Sequence, residues 1–108
     1  MRRILAARPD VDAVFAASDL MAAGAVQVLR AAGRRIPEDV AVVGFDDSSI
    51  AEAADPPLSS VRQPIEEMGR EMVRLLVEHT AAPGSVPRKV ILATQLMRRR
   101  SSEGVLQG

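Results

Sequence analysis

Apolar residues recur along this chain in two rhythms. In Val40-Ala41-Val42-Val43-Gly44-Phe45 every position is apolar, the pattern of a strand covered on both faces, as in a parallel sheet. Ala13-Val14-Phe15-Ala16 is a second apolar run of strand length. Between the two, Met21, Ala25, Val28, Leu29 and Ala32 recur at helical spacing and predict one buried helix face. Ser18 or Asp19 can cap the start of that helix, and Gly33 supplies the left-handed turn that ends it. Strand, helix and strand in this order make a βαβ unit, for which a right-handed crossover is nearly obligatory. On the remaining helix surface Ala22, Ala23 and Gly24 are small and Gln27 is polar, so a protein partner is expected to approach there.

The flanking segments read in the same way. Residues 2–8 form a helix that Pro9-Asp10 terminates. The span from Ser48 to Asp55 has room for a turn or two of helix, and Pro56-Pro57 forces an extended course through Leu58-Ser59-Ser60-Val61-Arg62. Pro64 opens a longer helix with Glu66 and Glu67 at its positive end and Ile65, Met68, Met72, Leu75 and Leu76 as its apolar stripe. Ala81-Ala82-Pro83-Gly84 breaks it, and Lys89 to Met97 reads as a last strand. Arg98-Arg99-Arg100 then precedes Gly104 and a tail, Val105 to Gly108, that is expected to be disordered. The expected class is α/β, built on parallel-sheet βαβ units.

Composition narrows the chemistry. A chain of 108 residues with 47% apolar content can build one small core. Fourteen Lys and Arg balance fourteen Asp and Glu, so net charge gives no reason to expect nucleic acid or a membrane surface as a partner. The three adjacent arginines lack neighbouring aromatics and read as a solvated strand end. There is no cysteine, which leaves His79 and carboxylates as the only candidate metal ligands, and neither metal nor cofactor is expected. The amino-terminal stretch is too short and too charged for a secretory core, and no apolar run approaches a membrane span, so a cytoplasmic chain is expected.

The chemistry concentrates where strands end. In open parallel sheets ligands bind beyond the carboxyl ends of the strands. Asp46 stands at one such end and Ser18-Asp19 at the neighbouring one. Carboxylate acceptors beside hydroxyl groups suit a ligand rich in hydroxyl donors, a sugar or nucleoside, better than a phosphate. Asp19 and Asp47 also admit a plainer role as helix caps, whereas Asp46 does not.

Three strings carry a family resemblance. Ala13-Val14-Phe15-Ala16-Ala17-Ser18-Asp19-Leu20-Met21-Ala22, Ile36-Pro37-Glu38-Asp39-Val40-Ala41-Val42-Val43-Gly44-Phe45-Asp46-Asp47 and Pro56-Pro57-Leu58-Ser59-Ser60-Val61-Arg62-Gln63-Pro64 resemble, in order and spacing, the C-terminal part of LacI/GalR regulators. The resemblance implies a fragment of a two-lobed, periplasmic-binding-protein-like effector domain. Residues 1–62 would belong to the C-terminal lobe, and 63–108 would hold a crossing segment, a helix and a final strand returning from the N-terminal lobe. The helix after Gln63 would then lack most of the sheet it covers. The operator-reading headpiece and most of the first lobe would lie upstream.

The same resemblance implies that Asp46 and Gln63 contact a sugar- or nucleoside-like effector. It implies the same of Ser18, at a position that is usually Asn. Homodimerisation would run through Ala22, Ala23 and Gln27 and through the segment holding Ala54, and Arg99 would be structural. Ligand binding would control operator DNA allosterically. A transporter's solute-binding protein is the alternative, since it shares the fold. An α/β enzyme or phospho-acceptor using Asp46 and Asp47 is the third class, and it is not expected. A receiver-type site wants a lysine at a strand end, and the only lysine, Lys89, sits at a strand start.

Overall fold

Three short parallel strands run through the first part of the chain: β1 (Ala13–Phe15), β2 (Ala41–Phe45) and β3 (Ser59–Arg62). A computed structural model of the chain describes residues 1–104, and the tail from Val105 to Gly108 lies outside the described residues. Ala13 pairs with Ala41 and Phe15 with Val43, Val43 in turn with Ser59 and Phe45 with Val61. A fourth strand, β4 (Gln95–Met97), adds antiparallel to β3, so the sheet order is β1-β2-β3-β4. This is the expected α/β class with a parallel-dominated sheet.

The helix between the first two strands is α2 (Asp19–Ala31). It ends as Gly33 requires: Gly33 takes φ 78°, its N–H donates to the Arg30 carbonyl at 2.9 Å, and Arg34 N–H donates to the Leu29 carbonyl at 2.9 Å. These are the two bonds of a Schellman motif. The face that α2 buries shares Ala25 and Leu29 with the expected one but is rotated toward Asp19 and Ala22. Asp19, Ala22, Ala25 and Leu29 are buried, whereas Met21 is 60% exposed and Leu20 70%. The rotation places Asp19 on the buried face, where its carboxylate accepts from three donors. Ala22 therefore packs in the chain's own core and leaves the expected dimer surface, a correction to the sequence reading.

Leu29, Val40, Val42 and Leu58 are the largest apolar side chains fully enclosed, with Ala22 and Ala51 filling the gaps between them. Burying each of the large ones contributes about 1.5–3 kcal/mol. Gly44 leaves room for this packing. A Cβ at that position would land on Asp19 Oδ1, 3.0 Å from Leu58 Cδ2 and 3.3 Å from Ala22 Cβ.

The described residues also include α1 (Arg2–Ala7), α3 (Ser49–Ala53) and α4 (Ile65–Ala81). The chain divides into two compact units, Met1–Arg62 together with the residues from Gln95 on, and Gln63–Thr94. The sequence reading kept 63–108 in one segment, but from Gln95 the chain rejoins the first unit because β4 pairs with β3. The last strand is also shorter than the expected span from Lys89 to Met97: among the described residues only Gln95–Met97 pair, with β3. In the second unit α4 buries none of its residues, and Ile65, Met72 and Leu76 of its stripe are more than 60% exposed.

Gly44→Ala is expected to lower stability by about 1–3 kcal/mol, the range for an added methyl in a filled core, and urea unfolding would measure it. Wild-type stability in that variant would show that Asp19 does not need the space above Gly44.

Candidate functional site

Beyond Phe45 the chain turns through two successive residues in the left-handed region, Asp46 at φ 103° and Asp47 at φ 52°. Aspartate tolerates this conformation better than most residues, yet each such position still costs on the order of 1–3 kcal/mol and persists only where the surroundings hold it. The surroundings here are specific. Asp46 N–H donates to the Val61 carbonyl at 2.9 Å, and Asp47 N–H donates to Ser60 Oγ at 2.9 Å. Arg62 Nε donates to Asp47 Oδ2 at 2.7 Å, and Arg99 Nη1 lies 2.7 Å from Asp47 Oδ1.

The three acids of this region have separated in role. Asp47 has a side chain only 3% exposed, with Arg99 15% and Arg62 49% exposed around it. Burial pushes its carboxyl upward, but the hydrogen bonds and charge of Arg99 and Arg62 outweigh that and hold it below the usual carboxylate value. Asp19, 2% exposed, accepts from Ser48 N–H at 2.6 Å, Ser48 Oγ at 2.8 Å and Ser60 Oγ at 2.6 Å. Neither is a helix cap, contrary to the plainer reading of the sequence. Ser18 caps α2 by accepting from Met21 N–H at 3.2 Å, and α3 starts after Ser48 without a side-chain cap bond. Asp46 is the acid left exposed at the strand end.

Of the three expected effector contacts, the structure brings Asp46 and Ser18 to the carboxyl ends of the neighbouring strands β2 and β1. Ser18 is half-buried, and its hydroxyl, already accepting one bond, keeps a proton to donate. Gln63 follows β3 directly, is half-buried and opens the second unit. Of the expected dimer residues, Gln27 is exposed and Ala23 half-buried on α2, and Ala54 closes α3 and packs against the core. Leu20 and Met21 join the exposed surface of α2, Met21 because the buried face is rotated away from it toward Asp19 and Ala22.

Sequence reasoning also missed Ser60 and Arg62 as the residues that hold the acidic turn. A signal was present: Ser59-Ser60 puts two adjacent hydroxyls at the start of a strand that also ends in arginine, and both serines are fully buried. The arginine cluster splits as well. Arg98 pairs with Glu103 at 2.7 Å and Arg100 with Glu38 at 3.5 Å on the surface, whereas Arg99 turns inward. Among the described residues, no group of three or more His, Asp and Glu side chains gathers to hold a metal ion.

A family model for the periplasmic binding protein-like domain matches residues 1–102. The chain belongs to that family. Within the periplasmic-binding-protein-like domains it has the LacI/GalR character that its three motifs resemble. It is 60% identical over 101 residues to the HTH-type transcriptional regulator CelR of Thermobifida fusca, an alignment covering 94% of this chain and 30% of CelR. The solved complex of the transcriptional regulator CelR with cellobiose matches with a TM-score of 0.87 at 59% identity, over 94% of this chain and 31% of that one. The lac repressor dimer bound to operator and the anti-inducer ONPF matches with a TM-score of 0.82 at 25% identity, over 94% of this chain and 35% of that one. The chain thus spans about a third of the length of these relatives, which are transcriptional regulators and not transporter solute-binding proteins.

Because Asp47 titrates lower in the folded chain than in the unfolded one, its contribution to stability is fully present above its unfolded value of about 4 and is lost as pH falls through the lowered folded value. Asp39, held at about 2 by hydrogen bonds from Arg35, acts in the same direction. Asp47→Asn is expected to destabilise by about 3 kcal/mol at neutral pH, since it leaves the enclosed Arg99 with only the exposed Glu52, 3.7 Å away, as counter-charge, and to flatten the acid limb of stability against pH. Melting curves from pH 7 down to pH 3 would check both; an unaltered acid limb would remove Asp47 from this role.

Proposed function

We propose that the chain is the C-terminal part of the effector-binding domain of a bacterial, sugar-responsive transcriptional regulator of the LacI type. The observation that carries this reading is the exposed carboxylate of Asp46, held at a strand end in a chain 60% identical to a regulator named CelR, with the CelR–cellobiose complex as a near structural neighbour. The acidic turn has the chemistry for a sugar. An exposed carboxylate accepts from two hydroxyls at once, and the Ser18 hydroxyl at the adjacent strand end donates or accepts. The family resemblance adds Gln63, whose amide does both.

In this reading the regulator acts as a homodimer, and ligand binding is relayed to a DNA-binding headpiece upstream. Support for dimerisation comes from α2, where Leu20 and Met21 stand exposed on a helix that also presents Ala23 and Gln27. Isolated apolar side chains are common on surfaces, but two adjacent large ones on a helix with small neighbours suit a close partner. The bare stripe of α4 fits a lobe supplied by the rest of the polypeptide. The regulator works in the cytoplasm, where operator DNA is, and performs no catalysis. No helix among the described residues is long and apolar enough to cross a membrane.

Calorimetry of the full-length regulator with cellobiose tests the site. Binding is expected, and Asp46→Ala should weaken it by about 1.5–3 kcal/mol, the range for hydrogen bonds to a charged group. An affinity for cellobiose indifferent to that substitution would take Asp46 out of the site. Met21→Arg is expected to shift the dimer toward monomer in sedimentation while the melting temperature holds; a dimer that persists would move the interface off this helix face.

A further inference from the structure

We propose that Arg62 is a positioning residue for effector binding, acting through Asp47 on the turn that presents Asp46; this rests on the reading of Asp46 as an effector contact. Arg62 is the last residue of β3, and its Nε donates to Asp47 Oδ2 at 2.7 Å. Charge compensation does not require it. Arg99 already stands 2.7 Å from the other carboxylate oxygen and is itself only 15% exposed, so the enclosed carboxylate has its counter-ion without Arg62. Stability gains little from it either, because a guanidinium that is 49% exposed contributes a small net amount.

What Arg62 adds is direction. Arg62 makes the directional bond, its Nε donating to Asp47 Oδ2, whereas Arg99 faces Oδ1 as a close ion pair and donates from Nη1 to the Leu58 carbonyl at 2.9 Å. The Val61 carbonyl and Ser60 Oγ hold the two backbone N–H groups of the turn, and the Arg62 bond adds a hold on the side chain of Asp47, at φ 52°, next to Asp46 at φ 103°. Neither residue rests in a broadly favoured conformation, so removing this side-chain hold lets the turn relax and shifts the exposed carboxylate relative to its ligand. The planar fork of arginine sets this geometry, and a lysine supplies the charge without it.

A double-mutant cycle read by calorimetry with cellobiose on the full-length regulator tests the assignment. Arg62→Gln is expected to weaken cellobiose binding about tenfold, the loss of one well-placed charge-assisted hydrogen bond, with an unchanged melting temperature. Arg62→Lys should fall between Gln and wild type. In an Asp46→Ala background Arg62→Gln should have no further effect, because the residue through which it acts is gone. If Arg62→Gln melts early, Arg62→Lys carries the same cycle. Wild-type affinity in Arg62→Gln, alongside a loss in Asp46→Ala, would overturn the proposal and leave the site reading intact. An undiminished effect of Arg62→Gln in the Asp46→Ala background would overturn it too. Wild-type affinity in Asp46→Ala would overturn the site reading and this proposal with it.

Discussion

The carboxylate of Asp19 is the point on which the first unit depends. A charged group 2% exposed is costly to bury unless every lone pair of consequence is used. Here one oxygen takes both the N–H and the hydroxyl of Ser48, and the other takes the hydroxyl of Ser60. Three segments that are distant in sequence, the start of α2, the approach to α3 and the middle of β3, are thereby referred to one side chain. Gly44 lets that side chain lie flat over β2. The helix has to present its acid inward to make these bonds, and its apolar residues follow from that orientation.

From the same strand a second set of neutral hydrogen bonds ties in the C-terminal segment. Ser101 Oγ donates to the Val42 carbonyl at 2.6 Å and accepts from Ser59 N–H at 2.8 Å, while Val42 N–H donates to the Ser101 carbonyl at 2.9 Å. Ser59 Oγ exchanges bonds with the backbone of Arg99, accepting from its N–H at 2.7 Å. Arg99 is thus held by its main chain before its side chain reaches Asp47. The acidic turn is clamped by a residue whose own place is set by β3, and hydroxyls rather than apolar packing transmit that placement.

Much of this was legible in the sequence. The continuous apolar run at 40–45, the Gly33 stop and the Pro56-Pro57 corner named their elements because each is a local signal with a local cause. The roles of the acids were not legible. Asp19 looks like a cap until the hydroxyls of Ser48 and Ser60 are seen to converge on it, and that convergence is a tertiary fact. The same hidden contacts accompany the rotation of α2 that exchanges Met21 and Ala22 between core and surface. At the other end, residues 89–94 carry enough apolar character for a strand, but a strand also needs a neighbour, and no local pattern reports one.

The reversed direction of β4 has a topological consequence. Arg62, where the chain leaves the first unit, and Gln95, where it returns, are cross-strand partners. Departure and return therefore stand side by side, as do the two ends of a hairpin. In chain order, everything from Gln63 to Thr94 is an insertion between two paired strands. A short tight turn in its place would leave each rung of the ladder with its present partner.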